Sequence, residues 1–395
     1  MEASGGDIYA KMNAGFRWHA EARVCDAVGG VQPVAQGGGW IEPVPSGLAL
    51  ARALAVPGAA FRIGGMGALE AGRGAFETLT SGSSGQPRRI LRSVTSWTAS
   101  FAVNAGAFGI GPGCRVAVLG QLVHSLALYG ALEAVHLGAE LHLLDAMRPD
   151  RQRAALAARG VGVLYATPAQ LRLLVEAGGA ELPALRLILV GGSKLDARLR
   201  AALAAISGAE VREFYGAAEA SFITLAGEET PEGSVGRAYP GVEIAVRAGA
   251  IWVRSPYLFT GYAGDDRGAA VWDQGWLSVG EMGRLEDGHL YLSGRAGRMV
   301  TVADQNVFPE EIEAFIAGLP GVARVAVVPC ADALRGVVLV AVIVGEVAQE
   351  AAILRACRAR LGPLKAPRSV IWRGDWPVLA SGKTDLQALE AALWR

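Results

Sequence analysis

Thr80-Ser81-Gly82-Ser83-Ser84-Gly85-Gln86-Pro87-Arg88 gathers hydroxyls, glycines and a cation into nine residues. Glycine lets backbone N–H groups come close to phosphate oxygens, hydroxyls add donors, and arginine adds charge. The stretch therefore reads as a phosphate cradle. It is not a Walker-type loop, which needs the G-x-x-x-x-G-K-[ST] spacing. The same composition also makes flexible linkers, so the loop gains meaning only from its company. Two further groups suit phosphate chemistry. Glu219 follows Tyr215-Gly216-Ala217-Ala218, and Lys383 ends Ser381-Gly382-Lys383 near the C-terminus. Taken alone, the first is a surface carboxylate and the second an exposed turn.

The elements that must position these groups are legible from apolar spacing. Arg115–Leu119, Glu140–Leu144, Gly162–Tyr165 and Leu185–Val190 read as buried strands. Ser125–His136, Gln152–Arg159 and a segment opened by Pro168 read as helices between them. This alternation predicts an α/β fold with a mostly parallel, doubly wound sheet. After about residue 232, short β segments such as Ile251–Val253 and His289–Leu292 predict a small β-rich subdomain. From Pro309 the pattern becomes helix, two strands (Arg324–Pro329 and Val337–Val344), helix and strand. That predicts a smaller α+β C-terminal domain, with residues 1–293 forming the large N-terminal domain and 294–395 the small one. Residues 1 to about 75 show no motif and read as irregular.

Composition narrows the function. With 37 basic and 37 acidic side chains in 395 residues, no charge excess equips the chain to neutralise nucleic acid. The apolar fraction of 52% supports a packed core. Four separated cysteines form neither a C-x-x-C pair nor a disulfide framework. The longest apolar run, Gly336–Gly345, falls short of the roughly 20 residues that span a bilayer. With no signal-like N-terminus, a cytoplasmic protein that engages no membrane is expected.

Six segments in order carry a resemblance. The Thr80–Arg88 loop is followed by Val190-Gly191-Gly192-Ser193-Lys194-Leu195, Tyr215-Gly216-Ala217-Ala218-Glu219 and Gly233-Ser234-Val235-Gly236-Arg237 with Pro240-Gly241. Then come Gly275-Trp276-Leu277-Ser278-Val279-Gly280-Glu281 with Gly294-Arg295, and Pro309-Glu310-Glu311-Ile312-Glu313 with Ser381-Gly382-Lys383. Over roughly residues 76 to 390, the chain resembles the AMP-forming superfamily of acyl- and aryl-CoA ligases, peptide-synthetase adenylation domains and luciferases. The resemblance implies that ATP and a carboxylic acid form an acyl-AMP, and that the acyl group then passes to a thiol. It assigns catalysis to Lys383, Glu219 and Arg88, and Mg²⁺ to Glu219. Nucleotide contacts fall to Thr80, Ser81, Gly82, Ser83, Ser84, Gly85, Gly191, Gly192, Ser193, Tyr215, Gly216, Ala217, Glu281 and Arg295. Arg295 also suits a surface position at a domain junction.

By the same resemblance, the acid pocket would involve His124, Ser125 and Tyr129. Amino-acid-activating members carry an aspartate where Ser125 stands, so an aryl or aliphatic acid without an α-ammonium group is expected. His124 fits a gate or a packed helix start, and Tyr129 a pocket wall or core. Departures from the family pattern are Arg88 for lysine, Ala218 for threonine, Glu281 for aspartate, Gly297 at the hinge, Thr301 for lysine and Asp304 for glycine. Only 79 residues precede Thr80, so the first subdomain must be cut down or rebuilt. Three functions follow: an acyl/aryl-CoA ligase accepting CoA, an adenylation enzyme loading the phosphopantetheine of an acyl carrier protein, or a degenerate nucleotide-binding homologue that regulates or scaffolds.

Overall fold

A computed structural model describes residues 15–80, 87–265, 268–302, 305–332, 336–379 and 384–393. Contacts divide the chain into two units. One holds the described residues up to Glu243 together with Val253–Gly268; the other holds Ile244–Trp252 and the chain from Ala269 onward.

The first unit is built on a parallel sheet. Glu210–Ala217, Leu187–Val190, Val163–Ala166, Arg115–Val118, Glu140–Leu143 and Arg23–Cys25 lie side by side in that order, all parallel. The apolar runs in Leu187–Val190, Val163–Ala166, Arg115–Val118 and Glu140–Leu143 are buried and suit strands covered on both faces, as in sheets whose crossovers are helices. The crossover helix Ser125–Leu137 buries Ala127 through Val135 without a break. It ends where Gly138 turns left-handed at φ 88°, which glycine does without a Cβ penalty. Helix Pro168–Glu176 starts with a reciprocal cap between Thr167 and Gln170, satisfying two orphan donors. One core cluster joins Leu164, Leu171, Leu174, Ile188 and Leu199 at 0–3% exposure.

A second sheet in the same unit runs Gly261–Tyr262, Arg89–Ser93, Ala75–Leu79, Phe61–Ile63, Gly39–Ile41. Its middle pair is a hairpin, with Leu79 opposite Arg89 and Ala75 opposite Ser93. Residues 15–75 are thus more regular than expected. They supply strands to both sheets and the helix Ser46–Leu54. Strands of two or three residues are too short to show the alternation by which a strand is recognised.

In the second unit, Glu281–Glu286 and His289–Arg295 form an antiparallel pair. Further on, Val322–Asp332, Gly336–Gly345 and Ser369–Trp372 form a three-stranded sheet. Val327, Ile343 and Ala341 pack with Ile312, Ile316 and Ile353, whereas Val328 and Val342 pack with Leu389. The apolar run Gly336–Gly345 is therefore a strand with buried side chains on both faces. Among the described residues, no helix is long and apolar enough to cross a membrane.

Candidate functional site

Parallel strands end together, so residues just past their C-terminal ends share one edge of the sheet. Three predicted segments fall there. His124 follows Arg115–Val118, Gly191-Gly192-Ser193 follows Leu187–Val190, and Tyr215-Gly216-Ala217 closes Glu210–Ala217. The register, with Val190 beside Ala166 and Glu213, puts the glycine turn next to the tyrosine segment. Gly191 is required there: a Cβ would sit 2.2 Å from the Phe214 ring. Leu195 N donates to Glu213 Oε1 at 3.0 Å, closing the turn onto the neighbouring strand.

The predicted phosphate loop opens from the second sheet. Thr80 N donates to Arg88 O at 2.9 Å, and Arg88 N donates to Thr80 Oγ1 at 3.0 Å. These two bonds seal the base of the loop, so the Thr80 hydroxyl works for the hairpin. Ser81, Gly82, Ser83, Ser84 and Gly85 lie outside the described residues, as do Asp304 and Lys383.

The strand leaving this loop builds the Glu219 turn. Arg92 lies four residues past Arg88, on the same buried face as Ile90. Its guanidinium donates to Ala218 O, the Ser221 hydroxyl and Tyr257 O, and it lies 5.6 Å from the Trp97 ring centroid. Full burial pulls its pKa down to about 9, against the pull of the Glu219 charge. Gly261–Tyr262 pairs with the same strand, Tyr262 opposite Ile90. Tyr262 OH donates to Glu219 Oε1 at 2.8 Å, and Phe259 N donates to Glu219 O at 2.7 Å. A bulge at Tyr215/Gly216 turns the chain towards this point. Gly216 is forced by the close approach, because a Cβ would sit 2.0 Å from Ser221 O. Arg92 and Tyr262 were not foreseen. The available signal was an arginine at an apolar-facing position of a strand, which calls for buried acceptors.

The expected acid-pocket residues divide. Ser125 Oγ donates to Leu79 O at 3.0 Å and lies 2.9 Å from Thr78 Oγ1, tying its helix to the strand that enters the loop. His124 is half-buried at the helix start, and burial lowers its pKa, favouring the neutral ring. Tyr129 fills core at 5% exposure. It lies 5.1 Å from Phe101 and Phe222, measured between ring centroids. Its hydroxyl lies 2.7 Å from Ser100 Oγ, within a network in which Asn104 donates to Glu133 Oε1 at 2.8 Å. Glu133 is fully buried, and its pKa is pushed up to about 7 by desolvation.

In the second unit, Glu281 and Arg295 face each other across the Glu281–Glu286 and His289–Arg295 pair. Arg295 Nε donates to Glu281 Oε1 at 3.0 Å. Arg295 is half exposed, so solvent weakens the pair. Gly297 lies in a short 3-10 turn, Ala296–Arg298. Thr301 is exposed in Val300–Val302.

Two family models match: the AMP-binding enzyme model over residues 68–263 and the AMP-binding enzyme C-terminal domain over residues 311–383. An uncharacterized acyl-CoA ligase of Bacillus subtilis is 32% identical over 320 residues, covering 77% of this chain and 65% of that protein. An indoleacetate–CoA ligase of Aromatoleum aromaticum is 28% identical, covering 77% and 64%. The chain thus spans about two thirds of these relatives' length. ATP-bound MatB from Rhodopseudomonas palustris superposes with a TM-score of 0.77 at 21% identity, covering 98% of this chain and 97% of that one. At that identity the likeness concerns the fold.

Proposed function

This chain belongs to the AMP-binding enzyme family, and on that premise we propose that it joins a carboxylic acid to AMP and hands the acyl group to CoA. The observation that carries the proposal is the strand Arg89–Ser93. It leaves the loop base at Arg88, pins the Glu219 turn through Arg92, and pairs with the segment whose Tyr262 holds the Glu219 carboxylate. A loop suited to phosphate and a carboxylate suited to a hard cation are thereby tied to one strand.

In the first step a carboxylate oxygen attacks the α-phosphorus of ATP. The new bond is O–P, the bond between the α-phosphorus and its bridging oxygen breaks, and pyrophosphate leaves. Both reactants are anions, so positioning and charge neutralisation supply most of the catalysis. We assign phosphate contacts to Thr80–Gly85 and Arg88, and the adenine edge to Gly191–Ser193 and Tyr215–Ala217. Ribose and phosphate contacts go to Glu281 and Arg295. We assign Lys383 to the charge that develops between carboxylate and phosphate. In the second step the thiolate attacks the acyl carbon, and AMP leaves.

Glu219 fits a Mg²⁺ ligand. Tyr262 uses one lone pair of Oε1, whereas a carboxylate offers about four acceptor sites. Mg²⁺ takes one or two protein carboxylates beside phosphate oxygens. When bound, the ion neutralises phosphate charge; Tyr262 and Phe259 keep the carboxylate and its backbone in place.

Ser125 stands at the helix start where a carboxylate would be needed to pair with an α-ammonium. Its hydroxyl bond to Leu79 supports an acid that lacks one. We further propose that residues 294–395 act as a lid on 1–293, and that the reaction takes place in the cytoplasm. The test is ATP–pyrophosphate exchange across a panel of aryl, aliphatic and amino acids, followed by CoA or a carrier protein. Exchange with an ammonium-free acid, acyl-CoA formation, and loss of exchange in Lys383→Ala are expected. Preference for the carrier reassigns the acceptor. Silence across the panel favours a nucleotide-binding homologue without ligase activity.

A further inference from the structure

Near the starts of Arg115–Val118 and Glu140–Leu143, away from the edge that bears Tyr215 and Glu219, three side chains of metal-ligand type converge. Parallel register sets Cys25 beside His142 and Arg23 beside Glu140. Residues two apart on a strand share a face, so Glu140 and His142 point the same way. The Cys25 sulfur, a Glu140 carboxylate oxygen and a His142 ring nitrogen lie within 4.8 Å of one another. His142 is 2% exposed. Its Nε2 lies 3.1 Å from Glu140 Oε1 yet makes no aligned hydrogen bond. A cavity of about 460 Å³ adjoins the cluster.

We propose that Cys25, Glu140 and His142 form a three-ligand site for a zinc-class divalent cation, independent of the adenylation reading. Thiolate, imidazole and carboxylate together suit Zn²⁺ or Co²⁺, whereas Mg²⁺ and Ca²⁺ prefer all-oxygen sets. The adjoining cavity leaves the fourth position to water. On binding, the Cys25 thiol releases its proton. Arg159 Nη1 faces His142 Nδ1 at 3.3 Å, so Nδ1 accepts and Nε2 carries the proton in the neutral ring. Coordination through Nε2 shifts that proton to Nδ1, and Arg159 must swing aside. Arg115, 3.7 Å from Glu140 Oε2, competes for the carboxylate. These two cations hold the affinity below that of a dedicated structural zinc site. The bound ion would staple the strand Arg23–Cys25 to Glu140–Leu143.

The test is titration of the full chain with Co²⁺, read by thiolate-to-metal charge transfer in the near ultraviolet, and with Zn²⁺, read by thermal melting. Wild type is expected to show the band at one equivalent and a higher Tm with Zn²⁺. Cys25→Ser should lose the band and the zinc shift. Cys114→Ser should keep both, and Arg159→Ala should bind several-fold more tightly. A Cys25→Ser protein that binds like wild type overturns the site. So does a wild-type Tm indifferent to Zn²⁺, which can be read even if the variant does not fold.

Discussion

The Glu219 turn and the Glu281–Arg295 pair are both expected at one nucleotide, yet they are built in opposite ways. The turn is held by a buried guanidinium with three acceptors, a tyrosine hydroxyl and a backbone bond. The pair is one 3.0 Å contact between a largely buried carboxylate and a half-exposed arginine. Burial raises the energetic consequence of losing a partner, because water cannot replace it. The first arrangement fixes a geometry, while the second leaves both side chains free to take a new partner at low cost.

The strongest way to break this contrast is Arg92→Leu. It strands the carbonyls of Ala218 and Tyr257 and should cost ~3–5 kcal/mol in denaturant unfolding. Arg92→Lys should recover only part of that, since an ammonium does not reproduce a planar fork. A loss within 1 kcal/mol would show that the turn does not depend on Arg92.

Glu219→Gln keeps an acceptor for Tyr262 while removing charge. It should lower kcat about 10²–10³-fold and shift stability by less than ~1 kcal/mol, read by steady-state kinetics beside thermal melting. A loss of stability in place of rate would make Glu219 a structural residue.

The buried carboxyl Glu133 sharpens the role of burial itself. Its pKa rises from 4.5 to about 7 in the fold, so the folded state holds the extra proton between those values. Its stabilising contribution is full below about pH 4.5 and is lost as pH rises through about 7. Glu133→Gln should flatten the stability profile across that window in denaturant melts at stepped pH. An unchanged slope would assign the effect to other groups.

The smallest effect belongs to Arg295→Ala. Stability should fall by less than ~1 kcal/mol, as for exposed pairs, while KM for ATP rises several-fold with kcat less affected. A stability loss as large as that of Arg92→Leu would erase the contrast.

Much of this contrast escaped the sequence for physical reasons. The parallel core was legible because residues 116–118, Val163–Ala166 and Leu187–Val190 are continuous apolar runs. So was the glycine turn after Val190; the bulge at Gly216 was not, because the close approach of Ser221 that dictates its residue type exists only in the fold. Arg92 hid because two of its three partners are backbone carbonyls, at Ala218 and Tyr257, distant in sequence and carrying no residue signature. Tyr129 was open between pocket and core; its hydroxyl partners Ser100, Asn104 and Glu133 belong to two different helices that only the fold brings together. The strands before residue 75 were too short to betray a period.

The central claim is that the Glu219 turn serves transfer to the α-phosphorus of ATP. Single-turnover mixing of enzyme, MgATP and a permissive ammonium-free acid, quenched and resolved for acyl-AMP, measures that step directly. Wild type and Glu281→Asp should accumulate acyl-AMP, and Glu219→Gln almost none. Equal acyl-AMP from Glu219→Gln and wild type would contradict the assignment.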